Sequence, residues 1–99
     1  MTDEITLDSV VVAIKEQVSA DLGGETVVLG LPKGEYYGME GAGNDIWNLL
    51  QEPRSVSDIR DELLARYEVD AGVLGPDILE FLTELRREGL IEVTGGKAP

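Results

Sequence analysis

Gly23-Gly24 and Pro32-Lys33-Gly34 are tight-turn signals separated by one short apolar run, and together they constrain the fold more than anything else in the chain. Connections this short cannot carry the crossover that parallel pairing needs, so the flanking strands must run antiparallel. The run between them, Glu25-Thr26-Val27-Val28-Leu29, has high strand propensity. Ahead of it, Val10-Val11-Val12-Ala13-Ile14 is mostly β-branched, and Val18, Ala20 and Leu22 alternate with Ser19 and Asp21 as in a half-buried strand. The residues leave open whether 10–22 is one strand or two. Beyond the second turn, Glu35-Tyr36-Tyr37-Gly38-Met39 reads as a third strand, which completes a three-stranded meander.

The apolar period then lengthens from two to about 3.6. Ala42, Ile46, Leu49 and Leu50 share a helical face, with Trp47 beside them, until Pro53 ends the segment. Ser55, with Asp58 three residues on, is a capping arrangement that opens a second helix with Val56, Ile59, Leu63 and Tyr67 as its apolar stripe. Asp70 is a candidate cap for a third helix at Ala71, but Gly72, Gly75 and Pro76 weaken its first stretch. From Pro76 onward Ile78, Phe81, Leu82 and Leu85 share a face, Arg86-Arg87 complement the helix dipole, and Gly89 is a natural stop. Leu90-Ile91-Glu92-Val93 reads as a brief strand. The expected fold is α+β and winged helix-turn-helix-like, a three-stranded antiparallel sheet followed by three helices. The expected organisation is a flexible N-terminus over 1–9, one domain over 10–94 and a flexible tail over 95–99.

Composition narrows the function. The 99 residues carry 8 basic and 20 acidic side chains, a net charge of −12, which repels nucleic acid where no basic patch exists. Histidine and cysteine are both absent, which removes the commonest metal ligands, the commonest general base and the most reactive nucleophile. The N-terminus is acidic and no apolar run reaches membrane-spanning length, so a protein of the cytoplasm with no membrane partner is expected.

Specific chemistries fail one by one. Asp58, Asp61, Glu62, Glu80, Glu84 and Glu88 read as solvated helix faces rather than catalytic acids. Glu68 and Asp70 are too few for a calcium loop. Gly41-Ala42-Gly43 matches no phosphate-binding pattern and follows a meander rather than a βαβ strand. Leu7-Asp8-Ser9-Val10 resembles the carrier-protein site for a phosphopantetheine arm, but Ser9 lies too near the N-terminus and a β-branched run follows it. A DNA-binding regulator would read the groove with the third helix, where Asp77, Glu80, Glu84 and Glu88 outnumber Arg86 and Arg87. No enzyme, cofactor or metal is expected.

What remains is the strand at residues 35–39. A strand at a sheet edge presents unpaired main-chain groups that proteins usually blunt with proline, charge or a bulge, and little blunting is visible here. An extended peptide can pair with such an edge, the main chain giving affinity and side-chain pockets selectivity. The residues alone leave a second arrangement open, in which the third helix covers that edge. Alternation places Tyr37 and Met39 on one face, the core side, and Tyr36 and Gly38 on the other.

The ordered set Gly34-Glu35-Tyr36-Tyr37-Gly38-Met39, Gly43, Ile46-Trp47 and Leu49-Leu50, then Phe81-Leu82, Leu85 and Gly89-Leu90-Ile91, resembles the PqqD-like signature over roughly residues 18–93. That resemblance implies a recognition element for ribosomally synthesised, post-translationally modified peptides. It further implies that the precursor's leader adds as an antiparallel strand against the third strand, in the groove beside the third helix. Carried onto this chain, it assigns Glu35, Tyr36, Tyr37, Gly38 and Met39 to strand pairing and Ile78, Phe81, Leu82, Leu85 and Arg86 to the helical wall. Two departures stand out: Met39 where leucine is usual, a volume-conserving change, and Gly75-Pro76 at the usual start of the third helix. A free-standing copy is similar to the lasso-peptide recognition subunit, whose partner is a cysteine leader protease. The alternative setting is a PqqD-type chaperone serving a radical enzyme in quinone-cofactor synthesis.

Overall fold

A computed structural model describes residues 4–95. In chain order its elements are β1 (Val10–Ala13), β2 (Gln17–Asp21), β3 (Glu25–Gly30), β4 (Glu35–Glu40), α1 (Gly41–Leu49), β5 (Arg54–Ser55), α2 (Val56–Arg66), α3 (Ala71–Arg87) and β6 (Ile91–Gly95). The fold is α+β with three helices, as expected, but its strands form two three-stranded antiparallel sheets.

The expected meander is β2-β3-β4, and residues 10–22 split into two strands that join different sheets. Gly23 and Gly24 adopt φ of 79° and 98°, the left-handed pair that a two-residue hairpin turn demands. The second sheet, ordered β5-β1-β6, was not anticipated. Two of its members, β1 and β6, match runs with strand character in the sequence, but their pairing with each other and with the two-residue β5 before α2 is tertiary and has no local signal. The winged-helix comparison therefore describes the meander and helices but omits a whole sheet.

Two further expectations change. Of the N-terminal stretch expected to be flexible, residues 1–3 lie outside the described range, but Ile5 is buried, Leu7 packs on the core, and the carbonyls of Leu7 and Ser9 accept from the N–H groups of Ser57 and Val56. Two apolar side chains among acidic neighbours suffice to dock this stretch, because its main chain also satisfies the first turn of α2. Ser9 itself is buried and its hydroxyl accepts from the Thr6 N–H, so it offers no carrier attachment point. The expected tail begins at Gly95, which belongs to β6; residues 96–99 lie outside the described range. β2 is also more exposed than its alternation implied, with Val18 and Leu22 both largely in solvent.

The helices follow their signals more closely. The Ser55 hydroxyl accepts from the Asp58 N–H at 3.1 Å and caps α2, and the Asp70 carboxylate accepts from the Gly72 N–H at 2.8 Å and caps α3. α3 runs from Ala71 straight through Pro76. Pro76 gives up the bond to the Gly72 carbonyl and its ring crowds that carbonyl, while Gly75, with no Cβ, relieves part of the clash with the preceding residue. Val56, Ile59 and Leu63 are fully buried, whereas Tyr67 caps the end of α2, partly exposed, and donates to the Asp45 carboxylate. Ala42 is exposed, while Ile46, Trp47 and Leu50 enter the core.

The core joins both sheets to the helices. Val11, Val28, Trp47, Ile59 and Leu82 are each no more than 1% exposed. Buried Thr26 donates to the Asn44 side chain at 2.5 Å, which locks β3 to α1, and Trp47 donates to the Ser19 hydroxyl at 3.2 Å. This packing holds α3 alongside β4.

Candidate functional site

The hydrogen-bond phase of the meander shows which main-chain groups of β4 are free. Across the Gly23-Gly24 turn, the Leu22 N–H donates to the Glu25 carbonyl at 2.7 Å, so these two form a hydrogen-bonded pair. Such pairs alternate along antiparallel strands, so Glu25, Val27 and Leu29 turn their main chain toward β2. The Leu31 N–H, which donates to the Glu16 carbonyl at 3.1 Å, continues the series. Thr26, Val28 and Gly30 therefore turn toward β4, opposite Met39, Tyr37 and Glu35. By the same alternation the N–H and C=O groups of Tyr36 and Gly38 point outward.

Among the described residues no strand lies beyond β4. The arrangement in which α3 covers the edge is not the one adopted; a groove of about 480 Å³ separates them, lined by Tyr36, Tyr37, Gly38, Met39, Phe81, Glu84, Leu85 and Glu88. The α3 contribution falls at i, i+3, i+4 and i+7, one face of a helix. Tyr36 is 72% exposed, and a side chain added at Gly38 would meet open space. No side chain of β4 obstructs an approaching strand.

Of the helical-wall residues, Phe81 and Leu85 line the groove. Ile78 and Leu82 are 1% and 0% exposed and belong to the core beneath it. Arg86 is half-buried and lies outside the lining. Two liners, Glu84 and Glu88, were read from sequence as solvated carboxylates. The signal that finds them is positional: both sit on the stripe begun by Phe81 and Leu85.

The groove's chemistry changes along its length. At one end Met39 is buried and Phe81 packs against the start of α1, so closely that a Cβ on Gly43 would meet the Phe81 ring at 3.3 Å. At the other end the Tyr37 hydroxyl lies 2.9 Å from the Glu88 carboxylate and 3.0 Å from that of Glu35, its single proton shared between them, and the Lys33 ammonium lies 3.5 Å from Glu88. Burial, then the hydrogen bonds to Glu88 and Glu35, push the Tyr37 hydroxyl well above the ordinary tyrosine range. The hydrogen bond from Tyr37, reinforced by the charge of Lys33, holds the Glu88 carboxyl below the usual carboxylate range. The pair thus stands as neutral phenol and charged carboxylate at neutral pH.

Residues 25–91 match the family described as Coenzyme PQQ synthesis protein D (PqqD). The chain belongs to the PqqD family. Its structure is similar to that of TbiB1 in complex with the TbiA(beta) leader peptide, with a TM-score of 0.78 and 34% identity, covering 89% of this chain and 99% of that one. A search of the curated proteins found no match. The span of the PqqD match contains β4 and all of α3, so both walls of the groove lie within the family's own segment.

Elsewhere this PqqD-family chain offers less. A second cavity of about 360 Å³ lies among α1, α2 and α3 and shares Phe81 with the groove. Another cavity, about 660 Å³, is bounded by the β1–β2 connection, Pro53 and β6, and no helix walls it. Among the described residues no group of histidine, cysteine or carboxylate side chains is placed to hold a metal ion, and no helix is long and apolar enough to cross a membrane.

Proposed function

We propose that this protein binds the leader segment of a ribosomally synthesised precursor peptide as an added strand on β4 and presents it to a separate maturation enzyme. The observation that carries this reading is the outward row of main-chain groups at Tyr36 and Gly38 beside a vacant groove. A guest strand settles about 4.8 Å beyond β4, satisfies those groups, and drops alternate side chains toward α3. The likeness to TbiB1 with its bound leader supports the same guest.

In this reading the protein works in the cytoplasm and acts by binding rather than by catalysis, in keeping with a sequence that has neither histidine nor cysteine. Leader peptide binds antiparallel to β4, touching Glu35, Tyr36, Tyr37, Gly38 and Met39 on one side and Phe81 and Leu85 on the other. The favoured enzyme is a cysteine leader protease of lasso-peptide maturation, and the alternative a radical enzyme of quinone-cofactor synthesis. Reconstitution separates them: the protease setting requires that this protein accelerate cleavage of a leader-bearing precursor by a cysteine leader protease.

Gly38→Pro tests the strand addition directly. Proline removes an outward N–H while the inward groups of Tyr37 and Met39 keep their pairing with β3. Leader affinity, read by fluorescence anisotropy, is expected to fall at least about tenfold, ~1.4 kcal/mol, with unchanged far-UV circular dichroism. Unaltered affinity in a folded variant rejects strand addition.

A further inference from the structure

Resting on the peptide-binding reading, we infer that the groove selects guests in which an apolar residue is followed, two positions later, by lysine or arginine. Three observations combine. The hydrogen-bond phase makes Tyr36 and Gly38 the pairing residues, so guest residues opposite Met39 and Tyr37 project toward α3 and those between them project away. Those two inward positions are separated by one residue. They meet different chemistry: the one opposite Met39 lies toward the Phe81 end of the wall and the one opposite Tyr37 toward the Glu88 end, with Glu84 and Leu85 between.

Direction follows from the antiparallel pairing. α3 runs antiparallel to β4, since Phe81 packs by the start of α1 and Glu88 by the turn that opens β4. A guest antiparallel to β4 passes Met39 first and Tyr37 second, so the apolar residue comes before the basic one. Glu84 and Glu88 stand on successive turns of one helix face, roughly 6 Å apart, a separation that one cationic side chain can address together. Their present cationic partners, Arg87 at 2.6 Å and Lys33 at 3.5 Å, form solvent-exposed surface pairs, and the Tyr37 hydroxyl bonded to Glu88 leaves that carboxylate charged. Such pairs are weak enough for a guest cation to join or replace.

The test uses three labelled synthetic peptides that share a threonine-rich extended background and carry Leu-Thr-Lys, Leu-Thr-Glu or Lys-Thr-Leu at the centre. With the full-length protein, the Leu-Thr-Lys peptide is expected to bind about tenfold more tightly than either other, ~1.4 kcal/mol. Its advantage is expected to shrink at high salt. Glu84→Lys combined with Glu88→Lys is expected to reverse the preference between the first two peptides. Equal binding of Leu-Thr-Lys and Leu-Thr-Glu, or tighter binding of Lys-Thr-Leu, overturns the selectivity while leaving strand addition intact. Failure of all three peptides to bind overturns the peptide-binding reading itself.

Discussion

The two sheets have the same strand count and differ in what lies beside their edges. In β5-β1-β6 the central strand is flanked on both sides, and neighbouring loops staple it further: the Ala13 N–H donates to the Leu50 carbonyl at 2.8 Å and the Ile14 N–H to the Leu90 carbonyl at 2.9 Å. In β2-β3-β4 the last strand, residues 35–40, keeps an uncovered row on its outer side and a groove beyond it. Domains commonly shield such edges because they invite aggregation. Here β5, β6 and β2 are edge strands too, but it is the free edge of β4 that opens onto a groove walled by α3. The proposed recognition edge thus belongs to one sheet, while the core joins both: a side chain added at Gly30 of β3 would meet Leu90, beside β6, at 3.0 Å.

The division is broken most forcefully by moving one substitution between the sheets. Val11→Pro places a ring in a central strand, deletes a ladder bond and removes a fully buried side chain. The cost is expected to exceed ~3 kcal/mol, seen as loss of the cooperative thermal transition. Gly38→Pro, at the free edge, is expected to cost ~1.4 kcal/mol or more of leader affinity with the transition in place. Should the two variants unfold alike, the sheets do not divide the labour.

Ser55→Ala removes the cap of α2 on the supporting side and is expected to cost about 1 kcal/mol, by urea denaturation, with leader affinity unchanged. Tyr37→Phe frees Glu88 from its main hydrogen-bond donor, so the Glu88 pKa, followed by NMR titration, is expected to rise toward the ordinary carboxylate range. The sign of the pH effect follows: because folding depresses the Glu88 pKa, its contribution is fully present above the ordinary range. It is lost as pH falls through the depressed value, and Tyr37→Phe is expected to flatten that acid-side dependence of stability. Gly38→Ala has the smallest effect. Its new methyl meets open space, and affinity is expected to shift by less than about twofold, within the ~0.5 kcal/mol typical of surface changes.

What the sequence reveals and what it hides divides along the same line. The meander, both Ser55 and Asp70 caps, and the stripe through Phe81 and Leu85 are local patterns, written within a few residues of one another. The β5-β1-β6 sheet joins residues 10–13 to 54–55 and 91–95, and no periodicity records a partner so distant. Ile5 and Leu7 escape notice for the same reason: their burial depends on what α2 brings to them. Pro76 reads as an interruption, yet α3 runs through it, with Gly75 relieving only the part of the clash that a preceding Cβ would add. Glu84 and Glu88 look like ordinary solvated charges because a groove wall exists only once β4 faces the helix. The open edge was legible as a possibility, and the phase of the hairpin turned it into specific atoms.

That phase originates far from any guest, in the length of the Gly23-Gly24 turn and the register it imposes on β3. Grip therefore depends on turn length, while taste depends on side chains of α3 that take no part in the grip. The helical stripe can be rewritten to receive a different peptide without rebuilding the handle that holds it, whereas one residue gained or lost between Gly30 and Glu35 would turn the handle inside out.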